Sequence, residues 1–197
     1  MTNSDVGAIA DFLDDLGKIG VDPLGGFSRL AFGQAEREAH ALFKNRLEQY
    51  GLEAYTDAVG NSYGVLPGKE ELPALTTGSH LDTVYSGGNF DGAVGVAAAV
   101  ELARIFASEE KLTRPLKVVA FAGEEGARFG APCIGSRLIT GAYTDETLRN
   151  LVDRDGTTAF HAAASVGLKP NEAASARWNF ADVACFVEVH ILSLIHI

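Results

Sequence analysis

The chain has 197 residues, 26 acidic against 16 basic, for a net charge of −10. That length gives one domain with a real core, or most of a larger one, and the acidic balance argues against nucleic acid, which needs a basic patch. The longest apolar stretch, GAVGVAAAV, runs straight into Glu101 and is far too short to span a bilayer.

The N-terminus MTNSDVGAIADFLDD lacks a basic start and carries acids early, so it does not read as a secretory signal. Cys133 and Cys185 are too few for a disulfide framework and lack thiolate-zinc spacing. Buried free thiols in a reducing cytosol are the expectation, with a single disulfide as the alternative. A cytoplasmic protein handling small molecules or cations fits this composition; no membrane partner is expected.

In chain order, Val6, Ile9, Leu13, Leu16 and Ile19 predict a helix over 4–20 with Ser4 as N-cap. DPLGGFSRLAFG is a loop. Ala35, Ala39, Leu42, Phe43 and Leu47 mark a helix over 34–50, ended by Gly51. The period then changes. LEAYTDAVGNSYGVLPG reads as two strands joined at VGNS, and PALTTGSH as a third. Asp91 stands where an N-cap would for a helix over 92–108, and PLKVVAFA is a buried strand. Shorter helices are expected near 134–141, 145–152 and 157–166, and ADVACFVEVH as a last strand. Alternating strands and helices predict a three-layer α/β/α sandwich with a mixed, partly parallel sheet.

Ligands in such folds bind beyond the carboxyl ends of the strands. His80 ends one predicted strand, Glu124 and Glu125 follow a second, His190 ends a third, and Asp91 opens the helix after the first. Imidazoles and carboxylates at one sheet edge suit two divalent metals. Asp91 is the candidate bridge between them. Asp82 suits the other ring N–H of His80, fixing its tautomer. Adjacent side chains diverge, so of Glu124 and Glu125 one binds metal and the other shuttles protons. Each residue has a plainer role: Asp91 as a simple cap, the glutamates as a solvated turn, the histidine as a hydrogen-bonded strand end. Their coincidence at strand ends favours the site. His40 and His161 read as structural or exposed.

GSHLDTVYSGGNFDGAVGV, FAGEEGARFGAPCIGSR and FVEVHI, in this order, resemble the hydantoinase/carbamoylase family of amidases, within the aminoacylase- and carboxypeptidase-like dinuclear metallohydrolases. GGFSRLAFGQAEREAH and GNSYG share the likeness, which runs from about residue 12 to 191. The resemblance implies His80 and His190 as ligands of a first metal, Asp91 as bridge, Glu125 as ligand of the second, Glu124 as general base and acid, and Asp82 as the residue orienting His80. It also implies zinc, or manganese, cobalt or nickel, and hydrolysis of an N-carbamoyl amino acid, β-ureidopropionate or allantoate to ammonia and carbon dioxide.

The family continues past its strand histidine with Glu-Gln-Gly; here the chain reads HILSLIHI. Residues 1–191 are therefore expected to be the N-terminal part of the catalytic domain. Residues 192–197 resemble a translated sequencing adapter, an ordinary hydrophobic C-terminus being the alternative. A downstream histidine for the second metal, and the lid domain through which the relatives would form homodimers, are expected to be missing. Weak second-metal binding, little turnover and exposed apolar surface would follow. A peptidase or acylamino-acid deacylase on the same frame, or a metal-free binding module, are the competing readings.

Overall fold

The computed structural model describes residues 4–109 and 112–191. Two N-terminal helices come first, α1 (Val6–Leu16) and α2 (Gln34–Gln49). Asp5 caps α1, its carboxylate accepting from Gly7 N at 2.8 Å. This replaces the cap expected at Ser4; Asp5 is the residue from which an Oδ atom reaches the second free amide. Gly51, at φ +83°, lets the chain turn out of α2.

A hairpin follows, β1 (Glu53–Thr56) and β2 (Ser62–Leu66), then β3 (Ala74–His80), α3 (Ala93–Ser108) and β4 (Leu116–Phe121). The hairpin turn is closed by Asp57, whose Oδ1 accepts from Val59 N and Asn61 N, each at 3.0 Å. Three short helices, α4 (Ile134–Ile139), α5 (Asp145–Asn150) and α6 (Ala159–Ser165), precede β5 (Val183–Val187). The last strand is shorter than 181–190, because a 3-10 turn over Phe180–Asp182 occupies its start and the chain leaves the ladder after Val187.

The sheet order is β1-β2-β4-β3-β5. β1, β2 and β4 pair antiparallel, while β4, β3 and β5 run parallel. Along β4 the side chains alternate between two cores. Leu116, Val118 and Ala120 pack with Phe12, Phe43, Leu47 and Val100 of α1, α2 and α3. Val119 and Phe121 pack with Ile134, Leu138 and Leu148 of α4 and α5 on the other face. The result is the three-layer sandwich expected from the alternation of elements. Because β3, β4 and β5 are parallel, their carboxyl ends share one edge of the sheet.

One expectation about surface needs correction. Both cysteines are free, but neither is buried: Cys133 is half-buried and Cys185 is exposed on β5. On that edge strand and just after it, Phe186, Val187, Val189 and Ile191 also keep substantial exposure.

Gly78 in β3 is fixed by close approach. A Cβ there would overlap the Val119 carbonyl across the β3–β4 ladder. Gly78→Ala is expected to destabilise the fold by roughly 3 kcal/mol, as overpacking against backbone does. Urea unfolding measures it; a change under about 0.5 kcal/mol, as for an ordinary surface substitution, would contradict this packing.

Candidate metal centre

His80 closes β3 with its ring buried. Its Nδ1 lies 3.1 Å from the Asp82 carbonyl oxygen and 3.5 Å from Asp82 Oδ1. The Asp82 carboxylate also serves a second loop, with Oδ1 accepting from Glu124 N at 2.9 Å and Oδ2 from Glu125 N at 2.8 Å. One buried aspartate thus ties the His80 loop to the Glu124–Glu125 loop.

Asp91 does not cap α3. Gly92 occupies the N-cap, at φ +64° and ψ −44°, with no side-chain cap bond. Glycine is required there because a Cβ would meet the His80 ring at 2.5 Å. Asp91 instead faces two imidazoles, its Oδ1 lying 3.5 Å from His80 Nε2 and 3.3 Å from His190 Nε2. His190 stands three residues beyond the end of β5, its ring at a T-shaped angle to His80 with centroids 5.4 Å apart.

The other flank of His80 belongs to Glu124, with Oε2 3.6 Å from Nε2. Neither carboxylate makes a hydrogen bond to the buried Nε2 of His80, which has no partner. A ring nitrogen desolvated and unbonded, facing two carboxylates, is what a cation would satisfy. His80, Asp91 and His190 each offer a ligand atom, all within 4.8 Å of one another. Two imidazoles and a carboxylate are a donor set for zinc or a similar borderline ion. The residues present therefore fit a divalent metal.

Glu125 is held by its backbone to Asp82 rather than by a contact to the cluster. Burial, together with the charges of Asp91, Asp82 and Glu124 and against the pull of His80, pushes its carboxyl up to about 7. Burial opposes charge on His80, but the nearby carboxylates of Asp82 and Asp91 carry its ring well above the ordinary histidine value. Asp91 is lowered in turn, chiefly by His80.

Several supporting residues are not evident from the sequence. Glu188 accepts from Ser79 Oγ at 2.6 Å and lies 3.7 Å from His190 Nδ1, placing a carboxylate behind that ring. Arg29 is fully buried and donates to Leu81 O at 2.8 Å and Asn89 Oδ1 at 3.2 Å, bracing the loop between His80 and Asp91. Cys133 Sγ lies 3.4 Å from Glu124 Oε1. Asn61 Oδ1 accepts from Ala122 N, and Glu36 accepts from Gly123 N at 2.8 Å and Phe32 N at 2.7 Å. Glu36 had a readable signal, since it falls in the buried stripe Glu36, Ala39, Phe43, Leu47 of α2. His40 in the same stripe is a structural histidine on Ser62, at 2.9 Å, and burial holds it neutral; His161 is exposed.

Burial first, and then nearby Asp82, raise the Glu36 carboxyl from 4.5 to about 7 despite Arg37. The folded state then binds the extra proton between those values, so stability falls as pH rises from about 4.5 to about 7 and levels off above. Glu36→Gln is expected to flatten that part of a stability–pH profile; an unchanged slope would rule out Glu36 as its source.

The family model of Peptidase family M28 matches residues 61–185. An N-carbamoyl-L-amino-acid amidohydrolase of Paenarthrobacter aurescens is 39% identical over 168 residues, 84% of this chain and 41% of that protein. An allantoate amidohydrolase of Escherichia coli is 37% identical over 187 residues, 93% of this chain and 45% of that protein. The crystal structure of a hydantoinase/carbamoylase family amidase from Burkholderia ambifaria superposes with a TM-score of 0.82 at 32% identity, over 95% of this chain and 45% of that one. The chain thus spans less than half the length of these relatives. Among the described residues no helix is long and apolar enough to cross a membrane. With this sheet, this cluster and a match across 61–185, the chain belongs to peptidase family M28, in the company of the hydantoinase/carbamoylase amidases.

Proposed function

We propose that the chain supplies the metal-binding part of an amidase that hydrolyses the C–N bond of an N-carbamoyl amino acid or a related ureido compound. The observation carrying this reading is the buried, unpartnered Nε2 of His80 set among Asp91, Glu124 and His190. His80, Asp91 and His190 would hold one divalent ion, and Asp91 with Glu125 would contribute to a second. Zinc is the first choice, with manganese, cobalt or nickel as alternatives. The metal pair would supply Lewis acidity, ionising water at neutral pH and polarising the carbonyl.

The chain's own groups do the rest. Glu124 takes the proton from the attacking water and returns it to the leaving nitrogen. Asp82 holds the backbone of both glutamates and the Nδ1 side of His80, so the aim of three side chains depends on it. Glu188 faces the Nδ1 of His190. A cytoplasmic enzyme, dimeric in longer relatives through a lid domain, belongs to the same reading, as does the division into catalytic residues 1–191 and a foreign stretch 192–197. That stretch, including His196, lies outside the described residues.

Calorimetric titration with zinc tests the reading. One tight site and one much weaker one are expected, because among the described residues only Asp91 and Glu125 are available to the second ion. Two equally tight sites would refute that assignment, and no zinc binding would leave a metal-free module. With so incomplete a second site, turnover by the 197-residue chain is expected to be slight. The match to a peptidase family favours a second reading, a peptidase. Assay of N-carbamoyl amino acids against dipeptides and acetylated amino acids, in a chain completed to the length of its relatives, separates the two.

A further inference from the structure

β4 ends at Phe121, where its pairing with β2 and β3 stops. The next four residues, which end in Glu124 and Glu125, lie beyond the ladder, yet each of their amides has an acceptor. Asn61 Oδ1 accepts from Ala122 N at 3.0 Å, Glu36 Oε1 from Gly123 N at 2.8 Å, and Asp82 from the two glutamate amides. The carbonyls of Ala122, Gly123 and Glu124 accept from Gly135 N, Ile134 N and Cys133 N at 2.9, 2.8 and 2.7 Å. Side chains and backbone from distant segments thus take over where the strand neighbours end.

The Glu124 carboxylate itself has little to hold it. Its Oε1 lies 3.4 Å from the Cys133 thiol and its Oε2 3.6 Å from His80 Nε2. Its place is therefore set through its backbone. Of the three side chains on that backbone, Asn61 carries no charge, and its hold depends on which way its amide faces. Asp57 decides this: its Oδ2 accepts from Asn61 Nδ2 at 2.9 Å, which leaves Oδ1 for Ala122 N. Asp57 is fixed in turn by Val59 N, Asn61 N and the Tyr63 hydroxyl. Asn61 is fully buried, and a Cβ on Gly135 would overlap its Oδ1, so glycine opens the gap through which the amide reaches Ala122.

Resting on the amidase reading above for the role of Glu124, we infer that Asn61 is a positioning residue for this proton carrier, oriented by Asp57 and acting through the Ala122 amide. The hairpin turn 57–61 grips the Glu124 segment from the β2 side. His80, Asp91 and His190 hang instead from β3, the start of α3 and the chain after β5. Loss of Asn61 unpins Glu124 and leaves those three ligands in place. Proton transfer needs the carboxylate within hydrogen-bond reach, so a shift of about 1 Å matters.

Cys133 reads the place of Glu124 without substrate or metal. With Cys185→Ser it is the only thiol of the chain. Thiolate is the reactive form, and a carboxylate 3.4 Å away disfavours it. In the metal-free 197-residue protein, Glu124→Gln is expected to speed alkylation of Cys133 by iodoacetamide at least about three-fold. In Asn61→Ala the same replacement should change the rate by less than about 1.5-fold. Asp57→Asn, a milder change should Asn61→Ala fail to fold, should give an intermediate factor. Leu148→Ala, a core truncation on α5 that touches none of these hydrogen bonds, should keep the full effect. Asn61→Ala should still bind its tight zinc within about three-fold of the parent. An undiminished Glu124→Gln effect in Asn61→Ala or Asp57→Asn would overturn the proposal. So would its absence from the parent, its loss in Leu148→Ala, or a zinc affinity that falls along with it. Failure of the parent to bind zinc would refute the amidase reading instead, and the thiol rates would still judge how Glu124 is placed.

Discussion

Asp82→Ala is expected to damage fold and metal centre together. The carboxylate is fully buried and accepts from two backbone amides, those of Glu124 and Glu125. Removing it leaves two N–H groups without partners and the Nδ1 side of His80 without a carboxylate. Unsatisfied buried amides cost about 1–3 kcal/mol each, so a loss of roughly 3–5 kcal/mol is expected in urea unfolding. Zinc affinity should fall by about 10–100-fold, as when groups that orient ligands are removed. Asp82→Asn should lie between parent and Ala, because an amide offers one acceptor oxygen where two are used. A stable Asp82→Ala protein with parental zinc affinity would show that Asp82 does not tie the two loops together.

Asp91→Ala is expected to act on the metal and scarcely on the fold. Asp91 Oδ1 lies within 3.5 Å of both His80 Nε2 and His190 Nε2, so it is the group common to the two imidazoles. It is not the cap of α3, and its removal leaves the helix start to Gly92. Zinc affinity should drop more than about 100-fold, equivalent to roughly 2.7 kcal/mol, read by competition with a chelator. The unfolding free energy of the metal-free protein should change by less than about 1 kcal/mol, since the side chain is partly exposed. Metal affinity within about ten-fold of the parent would remove Asp91 from the ligand set.

These two aspartates separate what is legible in a sequence from what is not. The order of elements, the alternation that gives a three-layer sandwich, and the positions of His80, Asp91, Glu124, Glu125 and His190 near strand ends follow from local rules. Periodicity marks which residues face a core, and turn residues mark where strands stop. Locally Gly92 is only the first residue of a predicted helix; that no side chain fits there is decided by the ring of His80.

Only the tertiary structure decided which atoms meet. Parallel pairing of β4, β3 and β5 brings three strand ends to one edge, and a sheet order is not written in any single strand. It also decided that Asp82 bonds to amides 42 and 43 residues away, and that Glu36 reaches Gly123 across 87 residues. Sequence spacing carries the period of a helix or strand, whereas a buried carboxylate is stabilised by donors from distant segments, which only the packed chain supplies.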